Sequence, residues 1–151
     1  NRVGIANQTS PADALDVNGD IRALGGFKTL LSFGLENVLA DGNSYYARNV
    51  SDQIQGSIGY IMPAAGSILA IAARAEADIT AGQISCTVYT NGTPTGISVT
   101  LSDLVQGAVP SSAKDAVTFA AGDRVQVVIT GSLLLAPAGS DDVAVTVWIE
   151  M

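Results

Sequence analysis

From about residue 53 to the end, apolar and polar side chains alternate along the chain with a period of two. Ile84, Cys86 and Val88 interleave with Ser85, Thr87 and Tyr89, and Ile97, Val99 and Leu101 follow in a second run. Alternation of this kind puts one face of an extended segment on a core and the other in water. Between the two runs lies Asn91-Gly92-Thr93-Pro94-Thr95-Gly96. Asparagine and glycine tolerate the positive φ of a tight turn, so a hairpin is predicted. In Ser67–Asp78, Leu69, Ile71, Ala73, Ala75 and Ala77 share one face, and Ala70, Ala72, Arg74, Glu76 and Asp78 the other. Alanine is a good helix former. The flanking Pro63-Ala64-Ala65-Gly66 and Ala81-Gly82, with strand patterns on either side, nevertheless favour a strand. Ala116–Ala120 and Arg124–Thr130, joined by Ala121-Gly122-Asp123, predict two more, and the chain continues through Leu133–Leu135. It ends in Val143–Met151, where Val143, Val145, Val147 and Ile149 share a face. Many short strands punctuated by Gly, Pro and Asp turns predict an all-β sandwich or barrel.

The opening part of the chain lacks this rhythm. Asp16-Val17-Asn18-Gly19-Asp20-Ile21-Arg22 has the look of a small hairpin. Phe27 to Ala40 is apolar without a clear period, a connector whose helical or extended character stays open. Gln53 to Ala73 carries no charge, but its glycines, glutamines and Pro63 break it into short runs. It predicts two strands and a turn, not the roughly 20 apolar residues of a spanning helix. No basic region precedes a short apolar core, so a signal peptide is not expected. The missing initiator Met before Asn1 predicts a processed product or a piece of something longer.

Composition narrows the chemistry. Charged residues are 14% of the chain and apolar residues 48%, against about 25% charged in an ordinary domain. A monomer has little charge with which to cover its surface. The net charge of −7 repels phosphate backbones, so nucleic acid is not an expected partner. There is no histidine, which removes Ser-His-Asp and Cys-His catalysis and His-built zinc or iron sites. The single cysteine, Cys86, is in phase with two apolar neighbours and is expected in the core. No catalytic residue, metal site or cofactor is predicted.

Val3-Gly4-Ile5 followed by Thr9-Ser10-Pro11-Ala12-Asp13-Ala14-Leu15-Asp16-Val17-Asn18-Gly19-Asp20-Ile21-Arg22-Ala23 resembles a stalk unit of bacteriophage tail fibres and related trimeric surface fibres. It departs from that pattern at Ala6, where glycine is frequent, and at Ala14, where lysine is usual. Tyr60-Ile61-Met62-Pro63-Ala64-Ala65-Gly66, Tyr89-Thr90-Asn91-Gly92-Thr93-Pro94-Thr95 and Phe119-Ala120-Ala121-Gly122-Asp123-Arg124-Val125 are similar to globular fibre heads. They are also similar to tumour-necrosis-factor-like heads on bacterial collagen-like proteins. The resemblance implies a jelly roll of roughly ten strands, three copies of which form a knob. An apolar, charge-poor domain is better accommodated when part of its surface is buried between copies. The expected organisation is a stalk segment over 1–26, a connector over 27–52 and a β-sandwich head over 53–151.

As a fibre part, the chain is expected in the virion as a homotrimer, contacting other tail proteins and a host cell-surface glycan or protein. Binding residues of such a head belong on loops held by the sandwich. That points to Asn91, Gly92, Thr93, Pro94 and Thr95, and to Ser140 and Asp141. Tyr45 and Tyr46 are candidates for stacking on a sugar or for anchoring a loop. Trp148 is out of phase with Val147 and Ile149, which leaves a subunit interface, a second core layer or a ligand platform open. Asp16-x-Asn18-Gly19-Asp20 lacks the glycine and glutamate spacing of a calcium loop and is expected to be a turn. Glu76 and Asp78 share a face with Arg74, and charge pairing explains them more simply than the carboxylate pair of a glycosidase. Non-enzymatic receptor binding is the expected function. The alternatives are a structural fibre or baseplate part that caps and registers the trimer, and a polysaccharide-cleaving fibre.

Overall fold

Alternating Val, Ile and Thr positions form strands because branched side chains pack well on a pleated, half-buried surface. A computed structural model describes residues 27–36, 42–49, 59–102, 106–108, 115–136 and 142–151. It contains β1 (Lys28–Leu35), β2 (Ser44–Tyr46), β3 (Tyr60–Ile61), β4 (Gly66–Ala75), β5 (Ile84–Thr90), β6 (Thr93–Leu101), β7 (Gln106–Ala108), β8 (Thr118–Phe119), β9 (Arg124–Gly131) and β10 (Val143–Glu150). No helix occurs among the described residues, and so none is long and apolar enough to cross a membrane.

All pairings are antiparallel, and they are nested: β1 with β10, β2 and β3 with β9, β4 with β7 and β8, β5 with β6. Such nesting describes one long two-stranded ribbon. Two further ladders, β10 with β4 and β9 with β5, roll the ribbon into two facing sheets, β1-β10-β4-β7 and β2-β9-β5-β6. The short β8 shares the outer edge of β4 with β7, and β3 shares the edge of β9 with β2. Ten strands thus occupy eight positions, the winding of a jelly roll. The chain is an all-β sandwich of the jelly-roll type.

The core lies between the sheets. From one side come Ile71, Ala73 and Ala75 of β4 and Val143, Val145, Val147 and Ile149 of β10; from the other come Ile84, Cys86, Val88, Val125, Val127 and Ile129. Tyr60 closes the gap at one edge. Its ring meets Phe33 edge-on at 5.2 Å between centroids, and its hydroxyl donates to the Ser32 carbonyl. A bridge between Gly34 and Arg48 joins the sheets on the same side.

Several expectations are revised here. The connector assigned to 27–52 contains β1 and β2, which pair with β10 and β9 inside the two sheets. The alternation of β4 breaks at Leu69. Trp148 faces Ala70 while Ile149 faces Ile68, so Leu69 is an extra residue in a bulge, and Ile68 takes the inward place. Thr118–Phe119 and Arg124–Gly131, joined by a short turn, belong to different sheets. Leu133 and Leu134 lie in an exposed turn, not in a strand. Arg74, Glu76 and Asp78 do not form the expected charge cluster: the one ion pair among the described residues joins Arg48 to Glu36 at 3.3 Å. The Asp16–Asp20 unit falls outside the described residues.

Cys86 is fully buried, and burial pushes its thiol up to about 12. Because the folded value lies above the ordinary thiol value of 9.0, the fold favours the neutral form, and this contribution is complete below that value. It is lost as pH rises from about 9 toward about 12. A thiol-specific reagent at mildly alkaline pH is expected to leave Cys86 unmodified in the folded protein and to label it fully in denaturant. Labelling at the same rate in both states would contradict this packing.

Candidate functional site

The ladders define two poles. At one, Phe27 and Met151 exchange backbone hydrogen bonds of 2.8 and 2.9 Å. The same pole carries Gly66, Phe119, the 120–123 turn and the tip of the β5–β6 hairpin, since Asn91 N–H donates to the Arg124 carbonyl. At the other pole lie Leu35, Ala75, Val143, Gly131 and Ile84. Strands of seven to ten residues separate the poles by roughly 25 Å at about 3.3 Å per residue.

Asn91 and Gly92 have φ of 52° and 82°, so both centre residues of the turn are left-handed, as a type I′ hairpin requires. Thr90 pairs with Thr93 and closes the loop. Both ends of the exposed Asn91 amide are bonded within the molecule. Its Nδ2 donates to Asp123 Oδ1 at 2.7 Å, and its Oδ1 accepts from Arg124 N–H at 2.9 Å. Asp123 in turn accepts from Ala120 N–H at 2.7 Å, and Gly92 N–H donates to Gln126 Oε1 at 3.1 Å. Thr95 sits where the β6 register slips. Its hydroxyl donates to the Val88 carbonyl and accepts from Ile97 N–H, which repairs the interrupted ladder. Of the five candidate residues in this hairpin, Thr93 and Pro94 are left exposed with no such side-chain bond.

The Asp123 carboxyl is held below the ordinary aspartate value, first by the Ala120 N–H and then by the Asn91 amide. A depressed folded value means that the contact favours the fold at neutral pH and fades as pH falls through the carboxylate range. An NMR titration should therefore give Asp123 a midpoint below that of an unpaired aspartate, with the Ala120 amide shifting in step. A midpoint at or above the ordinary value would contradict the anchor.

Tyr46 lies one strand from the hairpin and packs edge-on against Tyr89, with centroids 6.3 Å apart. Tyr45 points the opposite way, opposite buried Ile129. Both belong to β2, not to a polar loop, and Tyr46 is a half-buried ring braced by another ring. Ser140 and Asp141 fall outside the described residues. Asp142, which follows them, lies at the far pole, where its carbonyl accepts from Glu76 N–H.

Sequence reasoning passed over an open groove of about 520 Å³ toward the far pole. Glu36, Arg48, Asn49, Arg74, Glu76 and Asp142 supply its polar wall, and Leu35, Val143 and Ala144 its apolar floor. Hydrogen-bonding side chains of both charges over an apolar base can hold a polyhydroxylated or zwitterionic ligand. Among the described residues no group of three acidic, Cys or His side chains can hold a metal ion. The groove brings together residues from four separate stretches of chain, so no local motif marks it.

No protein-family model matches the chain, and neither does any curated protein sequence. Among solved structures it is similar to a chain described as "Cyanophage Pam1 capsid asymmetric unit". The two are 13% identical, the match covers 94% of this chain and 99% of the other, and the TM-score is 0.49. A likeness that distant assigns neither a family nor a role.

Proposed function

We propose that this chain is the tip of a viral tail fibre, a homotrimeric head that attaches the virion to a glycan or protein on the host surface without catalysing a reaction. One observation supports the reading: the first described residue, Phe27, is bonded to Met151 at one pole of the roll, and in this reading a stalk on that side leaves the opposite pole to face the host. That outward pole bears the groove between Glu36, Arg48, Arg74, Glu76 and Asp142. A rigid sandwich holds these groups in place before contact, which limits the entropy lost on docking. Three copies multiply weak contacts into useful avidity. Within this reading Thr93 and Pro94 lie on the stalk side, away from the groove.

The test is binding of the fluorescently labelled whole chain to a panel of bacterial strains, read by flow cytometry. Saturable binding to some strains is expected, reduced at least tenfold by Arg74→Glu with Glu76→Lys and little changed by Thr93→Ala. Failure to bind any strain, with release of reducing sugar from their surface polysaccharide, would replace attachment by cleavage. The purely structural reading is favoured by the apolar outer face of the β1-β10-β4 sheet. It predicts that the stalk assembles only with the head present and that no strain is bound.

A further inference from the structure

We propose that the groove at the far pole recognises a zwitterionic saccharide, one that carries a carboxylate and a free ammonium group on one or two neighbouring sugar rings. The inference rests on the attachment reading and names the receptor chemistry which that reading leaves open.

Sheet register builds the groove. Arg48 is bridged to Gly34, Gly34 faces Ala144, and Ala144 faces Arg74. Residues paired in this way project to the same face, so the four form one row across neighbouring strands. At about 4.8 Å per strand, the two arginines stand roughly 15 Å apart at the backbone. Gly34 and Ala144 are small, and the space above them stays open as a trough. A Cβ at Gly34 would meet only the Val143 carbonyl oxygen, at 3.5 Å. A second row lies two positions further along the strands, about 7 Å away at about 3.3 Å per residue. It consists of Glu36, Asp142 and Glu76, and the Glu76 N–H donates to the Asp142 carbonyl at 2.8 Å.

The charges of the two rows are not all spent on each other. Glu36 holds Arg48 at 3.3 Å. Among the described residues the exposed side chains of Arg74 and Glu76 make no hydrogen bond or ion pair. A guanidinium presents a planar fork that matches a carboxylate bidentately. Glu76 and Asp142 offer acceptor oxygens to an ammonium group, which has three donors. A polyanion would meet three carboxylates in the groove and a chain of net charge −7. A polycation would leave Arg74 facing like charge. One ligand with both charges answers both rows, and a carboxylate suits Arg74 better than a phosphate monoester because it brings a single negative charge. The volume of about 520 Å³ falls among small-ligand sites, which run to about 300–1,000 Å³. That favours a saccharide over the broad surface of a protein partner.

The test uses surface polysaccharides extracted from the strains that bind the whole chain. Each is immobilised untreated, with its carboxyl groups reduced to primary alcohols, and with its free amines N-acetylated. Biolayer interferometry should show either treatment weakening the whole chain at least tenfold. Arg74→Gln is expected to bind the untreated and carboxyl-reduced forms equally weakly, and Glu76→Gln the untreated and N-acetylated forms nearly equally. Gly34→Val should fill the trough and weaken binding to the untreated form while the circular dichroism stays that of the wild type. Full binding to either treated form would overturn the zwitterion assignment and leave attachment standing. So would loss of cell binding on protease treatment with no binding to any extracted polysaccharide, which would make the receptor a protein. Failure to bind any strain would overturn both. If Gly34→Val fails to fold, the treated polysaccharides decide with the wild-type chain alone.

Discussion

Ile71→Ala is expected to cost about 2–5 kcal/mol of stability, because a buried Ile truncated to Ala loses its transfer energy and leaves a cavity that the surroundings fill only partly. Ile71 is fully buried in the middle of β4. It faces Val147 across the β10 ladder and the inner side chains of the opposite sheet. The β10 ladder at Ile71 and the β7 ladder that begins at Ala72 hold the backbone in place, so little collapse into the void is available. Against a total stability of about 5–15 kcal/mol for a domain, this one change removes a large share. Leu134→Ala, at a side chain 78% exposed, should change stability by no more than about 0.5 kcal/mol. Denaturant melts at one fixed protein concentration, needed because assembly adds to apparent stability, provide the comparison. Equal midpoints for the two variants would mean that Ile71 is not in the core.

Gly66→Ala is expected to be comparably severe for a different reason. A Cβ at Gly66 would be driven into the carbonyl oxygen of Glu150, with Phe119 Cζ at 2.7 Å and the Glu150 carbonyl carbon at 3.1 Å. The main obstacle is backbone of a paired strand, which cannot swing aside as a side chain can. Overpacking typically costs about 1–3 kcal/mol, and a clash with paired backbone belongs at the upper end of that range. Gly92 makes the contrast. A Cβ there meets nothing within 4 Å, but φ is 82°, so Gly92→Ala pays only the left-handed backbone strain of about 1–2 kcal/mol. Thermal melts of the two alanine variants should place Gly66→Ala well below Gly92→Ala. The reverse order would show that the β4–β10 edge is not packed as described.

The strands most legible in the sequence were those with one wet and one dry face. β5, β6 and β10 alternate cleanly because Ser, Thr and Ala occupy their outward positions, and Asn91-Gly92 marks the turn between β5 and β6. β1 was obscured for an instructive reason. Its inward residues Leu31, Phe33 and Leu35 do alternate, but Leu30 on the outward side is also apolar and masks the period. β2 and β3 are too short to carry a period. The bulge at Leu69 reverses the face of β4 midway, a change no pattern of two can announce.

The candidate site was less legible than the fold, since its bonds are made across the sheets. The positive-φ turn could be read from two adjacent residues. The commitment of Asn91 to Asp123 and Arg124 could not, because those partners lie more than thirty positions away along the chain. Tyr46 and Tyr89 become neighbours only through β9 and β5. Likewise Glu36 and Arg48 converge on Arg74 and Asp142 only once the ribbon is rolled.

Native mass spectrometry of the whole chain at micromolar concentration tests the central claim most directly. The account predicts a dominant species of three times the 15.3 kDa chain mass. A single folded species at 15.3 kDa would contradict it.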